Sequence, residues 1–181
     1  MVSSIIRNEM ICLPDWFAHY RALGVTKFVV LDDNSTDGST EFLAEQPDCI
    51  LLKSEYNYGS IINGQAFYIA VINLIPKMFA TKNSWVITVD GDEFICLPSK
   101  VKTFNALISK LPRSVNIIDS IMVDFYPKNI HDLYTTEAKG SLFEQYPYYD
   151  NLTHIGLRKL RDHKLIYGGP RARLFKQYGI N

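Results

Sequence analysis

The sequence predicts an α/β protein: a mostly parallel sheet flanked by helices, followed by an irregular C-terminal segment. Three observations lead there. Short β-branched, apolar runs recur at Val2–Ile6, Lys27–Leu31, Cys49–Leu52 and Trp85–Val89. Segments with helical spacing separate them, so the order is β-α-β-α-β-α-β, and right-handed crossovers then make the strands parallel. The first, second and fourth runs end in polar loops, which such a sheet gathers along one edge.

Val2–Ile6 is followed by Arg7-Asn8-Glu9 at the strand end. Pro14 suits the first turn of a helix, where its missing N–H costs nothing. Trp16, Phe17, Tyr20 and Leu23 recur at helical spacing, and Gly24 fits a C-terminal cap. Lys27–Leu31 ends in Asp32-Asp33-Asn34-Ser35-Thr36-Asp37-Gly38, rich in turn formers and caps. A short helix through Thr40–Ala44 is expected, with Asp37 as its cap. Cys49–Leu52 reads as the third strand and Tyr56–Ser60 as a loop. Ile61–Leu74 reads as an apolar helix kinked or ended by Pro76.

The fourth run, Trp85–Val89, reads as a buried strand and ends abruptly in Asp90-Gly91-Asp92-Glu93. Asp90 and Asp92 share a face on a regular strand, and Gly91 permits a tight turn or a close approach to a ligand. Crowded carboxylates repel unless a cation sits between them, so a divalent metal is the expected resident. Further on, Val101–Leu111 reads as a helix and Val115–Phe125 as a strand. Residues 126–151 give no regular pattern, and Leu157–Ile166 fits helix or strand. After the turn Gly168-Gly169-Pro170, Arg171–Phe175 alternates like a strand with Arg171 and Arg173 on one face, suited to phosphate oxygens.

Composition narrows the class. The formal net charge is +0 and 47% of residues are hydrophobic, which argues against a nucleic-acid binder defined by bulk charge. The charge is unevenly placed: residues 1–98 hold twelve acids and six bases, residues 151–181 seven bases and Asp162 alone. A basic end and an acidic metal site together suit a polyanion such as a diphosphate. Cys12, Cys49 and Cys96 lack metal-finger spacing and read as reduced, in the cytoplasm. No run spans a bilayer and no secretory signal is visible, although peripheral membrane contact is compatible with the sequence. The histidines lack zinc spacing. Tyr56 and Tyr58 read as packing or surface aromatics more readily than as base-stacking platforms.

Four motifs in order resemble the glycosyltransferase family 2 group. They are Arg7-Asn8-Glu9, the Trp16 helix ending at Gly24-Val25, the Asp32–Gly38 loop, and Val89-Asp90-Gly91-Asp92-Glu93-Phe94. The similarity is to a short bacterial branch with an Asp-x-Asp-Glu-Phe signature, and Asp124–Pro127 and Gly168–Phe175 resemble its later motifs. The resemblance implies a GT-A (Rossmann-like) fold in one domain, with residues 1–98 as the nucleotide-sugar half and 99–181 as the acceptor side. It implies a hexosyltransferase-like enzyme, inverting, that moves a sugar from a nucleoside-diphosphate sugar, UDP-sugar favoured, to a glycan, lipid-linked or small-molecule hydroxyl. Asp33 would contact the base, and Asp90 the ribose or the metal. Asp92 would ligate Mn²⁺ or Mg²⁺, and Arg7, Glu9, Arg171 and Arg173 would complete the donor site. The catalytic base is sought among Asp119, Asp124, Glu137, Glu144 and Asp150; Asp124, near a strand end beside an aromatic loop, is preferred.

Relatives usually continue beyond the segment matched by Phe175, so a minimal acceptor side or a longer parent chain is expected. The alternative is a non-catalytic nucleotide-sugar-binding or partner domain of the same fold. A haloacid dehalogenase-type phosphatase fits less well, because its Asp-x-Asp ends the first strand. A nucleotidyltransferase would want a Gly-rich basic loop where Arg7-Asn8-Glu9-Met10 stands.

Overall fold

The computed structural model describes residues 1–118, 120–129 and 141–150, the backbone of 155–160 and 163–168, and Gln177. The chain falls into two compact units, Met1–Pro112 and Arg113–Asn181.

The first unit alternates as the sequence predicts. β1 (Val2–Ile6) leads to α1 (Leu13–Ala22), β2 (Phe28–Asp32), α2 (Ser39–Ala44) and β3 (Cys49–Lys53). A two-residue pair, β4 (Ile61–Ile62) and β5 (Gln65–Ala66), precedes α3 (Phe67–Phe79), then β6 (Ile87–Thr88) and α4 (Phe104–Ile108). The sheet is all parallel in the order β3-β2-β1-β6. This is an α/β fold with helices on both faces, and the strand order is compatible with a Rossmann-like arrangement.

β2 lies between two neighbours and under helices on both sides, so all five of its residues are buried. On one face α1 and α2 bring Leu13, Trp16, Phe17, Tyr20 and Leu43 onto Val2, Ile6, Phe28 and Val30. On the other, Val71 and Ile75 of α3 cover Val29 and Leu31. Each such large side chain contributes about 2 kcal/mol of burial free energy. Pro14 sits in the first turn of α1, and Gly24, at φ +90°, ends that helix region in the left-handed conformation that glycine adopts without strain.

Three expectations are corrected. The helix expected from Ile61 begins only at Phe67, because Asn63 and Gly64, at φ +51° and +80°, make a tight turn between β4 and β5. α3 then runs through Pro76 to Phe79. The fourth strand is not a fully buried run: β6 pairs only at Ile87 and Thr88, at the sheet edge, and Thr88 is exposed. The helix expected over Val101–Leu111 shortens to α4, capped by Thr103, whose hydroxyl accepts the Ala106 N–H at 3.2 Å.

In the second unit the strand expected over Val115–Phe125 is reduced to its end, β7 (Phe125–Tyr126). Ile117 and Met122 are exposed by 74% and 61%, so this apolar stretch lacks a covering layer that would favour a strand. α5 (Leu142–Gln145) opens with a Ser141–Glu144 capping box, and β8 (Tyr148–Tyr149) pairs antiparallel with β7. The ambiguous Leu157–Ile166 segment is strand: β9 (Ile155–Leu160) and β10 (His163–Gly168) form an antiparallel pair. The strand expected at Arg171–Phe175 lies outside the described residues. Among the described residues no helix is long and apolar enough to cross a membrane.

Candidate functional site

The carboxyl ends of β1, β2 and β6 open into one cleft of about 510 Å³. Arg7 and Glu9 come from the first, Asp33 from the second, and Asp90, Gly91 and Asp92 from the third. Asn57, Tyr58 and Gly59 close a further side. The sequence reading thus brings Arg7, Glu9, Asp33, Asp90 and Asp92 into one place. Asp124 belongs to the second unit, half-buried just before β7. Arg171, Arg173, Asp119 and Glu137 lie outside the described residues. Glu144 turns its Oε2 onto the Ser141 N–H at 2.9 Å, and Asp150 is buried with its Oδ1 accepting the Tyr126 hydroxyl at 3.1 Å.

The three aspartates of the second strand end divide their work. Asp32 accepts the Ser35 N–H and the Thr40 hydroxyl, which is turn and helix-start chemistry. Asp37 accepts the Ser39 N–H and hydroxyl on one oxygen and the Met10 N–H on the other. Its carboxylate lies below the ordinary range because those hydrogen bonds outweigh burial, the largest single influence and one that pushes it up. Ser35 and Ser39 accept the N–H groups of Asn8 and Glu9, so this loop carries the Arg7–Met10 loop on its back.

Asp33 is different. Its Oδ1 accepts the Tyr58 N–H at 3.1 Å, and its Oδ2 is buried with no hydrogen bond among the described residues. The nearest cation is Arg7, 3.6 Å away and 60% exposed, against 1% for Asp33. An acceptor held this dry without a donor carries a desolvation cost of about 1–3 kcal/mol, which an incoming N–H or O–H would relieve.

The Asp90–Glu93 acids also divide. Glu93 turns back, its Oε2 accepting the Asp90 N–H at 3.1 Å, so it fastens the turn. Asp90 and Asp92 line the cleft. Burial, then the charge of Asp92, raises the Asp90 carboxyl above the ordinary range. Burial first, then Asp92, Asp37 and Asp90, pushes Glu9 up to about 7. Gly91 stands in a tight place: a Cβ there would meet Ile6 Cγ2 at 3.0 Å and Glu9 Cγ at 3.2 Å. The close approach at Gly91 is to Ile6 and Glu9 of the chain itself, where an approach to a ligand was expected.

Among the described residues no three His, Cys, Asp or Glu side chains converge as a ready metal cage. Two carboxylates two residues apart, beside an open cleft, still suit a hard cation whose other ligands are phosphate oxygens or water. Mg²⁺ is commonly held that way, by one or two carboxylates plus substrate phosphates.

Sequence reading missed how the Asp90 loop is held. The Trp16 indole N–H donates to the Asp90 carbonyl at 3.1 Å. The Tyr20 hydroxyl donates to the Glu93 carbonyl at 3.0 Å and accepts the Ile95 N–H at 3.3 Å. His19 Nε2 lies 3.0 Å from the Ile95 carbonyl. The spacing of Trp16, Phe17, Tyr20 and Leu23 marked one helix face but not the polar tips of Trp16 and Tyr20. Tyr58, expected as a packing or surface aromatic, stacks its ring on Tyr68 of α3 at 4.7 Å and 8°, and no sequence signal showed that its backbone N–H serves Asp33.

Fold and cleft together define an α/β protein with an acidic, open site at the carboxyl ends of parallel strands. No family model matches the chain, and no curated protein matches it.

Proposed function

We propose that the chain is a metal-dependent glycosyltransferase of the family 2 type, with a GT-A fold, acting on a nucleoside-diphosphate sugar, UDP-sugar favoured. The observation that carries this reading is the pairing within one cleft of a buried, donor-seeking Asp33 Oδ2 with the carboxylates of Asp90 and Asp92. Asp33 accepts a base N–H, as its missing donor requires. Asp90 and Asp92 would hold Mn²⁺ or Mg²⁺, and the bound ion would supply stabilisation of the charge that develops on the departing diphosphate.

Arg7 already lies beside Asp33 and, being mostly exposed, is free to turn its guanidinium toward phosphate oxygens. Arg171 and Arg173 are the other candidates for that contact. Glu9, half-buried between the aspartates, neighbours the cation. Inversion needs a carboxylate that takes the acceptor's proton, and Asp124 is the residue we assign to it. The acceptor is a hydroxyl of a glycan, a lipid-linked sugar or a small molecule. Three unpaired cysteines and a nucleotide-sugar donor fit a cytoplasmic site of action.

Calorimetry with UDP tests the donor site. Binding that tightens with Mn²⁺ is expected, and its metal dependence should vanish in Asp92→Ala. Absence of metal-enhanced binding to any nucleoside diphosphate would overturn the reading. Metal-dependent hydrolysis across a panel of nucleotide sugars separates an enzyme from a binding module.

A further inference from the structure

The Asp90–Ile95 segment carries the proposed cation ligands, yet the sheet does not hold it. The ladder between β1 and β6 ends at Thr88, and the last sheet-like bond is the Val89 N–H to the Ser3 carbonyl at 3.2 Å. Beyond that point the chain's backbone is met by one face of α1. Trp16 grips the Asp90 carbonyl, Tyr20 joins the Glu93 carbonyl to the Ile95 N–H, and His19 meets the Ile95 carbonyl. Inside the segment, the Glu93 N–H returns to the Asp90 carbonyl and the Glu93 carboxylate to the Asp90 N–H. Asp90 and Asp92 thus ride on a turn whose two ends are fastened by α1 side chains some 74 residues away.

We infer that Trp16 and Tyr20 are positioning residues for the cation ligands Asp90 and Asp92, acting through the backbone of the turn that carries them. The inference rests on the reading of those aspartates as cation ligands. Both aromatic rings are fully buried, in edge contact with each other at 5.0 Å, and so cannot relax to follow a displaced loop. Their polar tips therefore fix where the two carboxylates stand before any cation arrives. Pre-set ligands of this kind bind tighter, and loss of a group that orients a ligand typically weakens metal binding about 10–100-fold.

The test uses the full chain and Mn²⁺ alone, titrated into the millimolar range, with free and bound ion read by electron paramagnetic resonance. Four proteins are compared: wild type, Tyr20→Phe, Trp16→Phe and Val71→Ala. Val71 belongs to α3 and packs on the opposite face of the sheet, so its variant loses core stability without touching the loop. We expect Mn²⁺ affinity to fall about tenfold or more in Tyr20→Phe and Trp16→Phe, with an altered bound-ion spectrum. Val71→Ala should keep wild-type affinity. Equal affinity in wild type and both aromatic variants overturns the inference, as does an equal loss in Val71→Ala. Should Tyr20→Phe not fold, Trp16→Phe alone decides. If wild type binds no Mn²⁺, the cation site and this inference fall together. If it binds Mn²⁺ but no nucleoside diphosphate, the glycosyltransferase reading falls and the positioning role stands.

Discussion

Burial and the carboxylates of Asp92, Asp37 and Asp90 push Glu9 up to about 7 from an ordinary 4.5. Between those values the folded chain holds a proton that the unfolded chain has released. Stability from this group is therefore fully present below about 4.5 and lost as pH rises through about 7. In chelator, Glu9→Gln should gain melting temperature relative to wild type as pH rises across that window. A difference between the two proteins that stays constant with pH would show that Glu9 does not titrate there. Gly91 is the other residue held in tight surroundings. A methyl group there would press on Ile6 and Glu9, so Gly91→Ala should cost about 1–3 kcal/mol of stability. Urea unfolding measures that cost, and an unchanged midpoint would mean that the loop yields freely. Neither effect was legible in the sequence. Asp90, Asp92 and Asp33 were, because three acids at strand ends are a local signal, whereas the neighbours that crowd Glu9 come from two other strand ends, those of β2 and β6.

At the scale of elements, local rules located most of the first unit. Apolar β-branched runs gave β1, β2 and β3 to within a residue or two, and Pro14 and Gly24 bracketed α1. Two failures have physical causes. In the Ile61–Leu74 run, apolar content outvoted the Asn63-Gly64 turn signal, which the backbone obeys with positive φ at both residues. Gly64→Ala should therefore destabilise the protein by about 1 kcal/mol, measurable in thermal melts, with no shift in α3 helicity by circular dichroism. The Val115–Phe125 run has strand composition, but among the described residues only Phe125 and Tyr126 find a strand partner. Composition promises a strand, and a hydrogen-bonding neighbour is needed to make one.

For the molecule as a whole, the first unit contains both hydrophobic clusters that the sheet separates, and all of its parallel strands. Residues 1–112 expressed alone should then melt cooperatively. A broad, non-cooperative melt with exposed apolar surface would show that residues 113–181 are needed to complete the core. If the segment folds, it should also keep Mn²⁺-dependent UDP binding, since among the described residues the cleft is lined from within it. Loss of that binding in a folded segment would assign part of the donor site, Arg171 and Arg173 foremost, to the second unit.

The sequence by itself determined the alternation of strands and helices, the acidic strand ends and the gathering of Arg7, Glu9, Asp33, Asp90 and Asp92 at one sheet edge. These follow from period, turn chemistry and the handedness of crossovers, which act over short stretches of chain. Only the tertiary structure decided which acids stay available. Asp32, Asp37 and Glu93 are consumed by nearby N–H and O–H groups, while Asp33 keeps a dry oxygen without a donor among the described residues. It also decided what holds the site: the indole of Trp16 and the hydroxyl of Tyr20, reaching from α1 to the Asp90–Ile95 turn. A hydrogen bond between groups 74 residues apart leaves no mark in local periodicity. It exists only once the sheet has set α1 beside the end of β6.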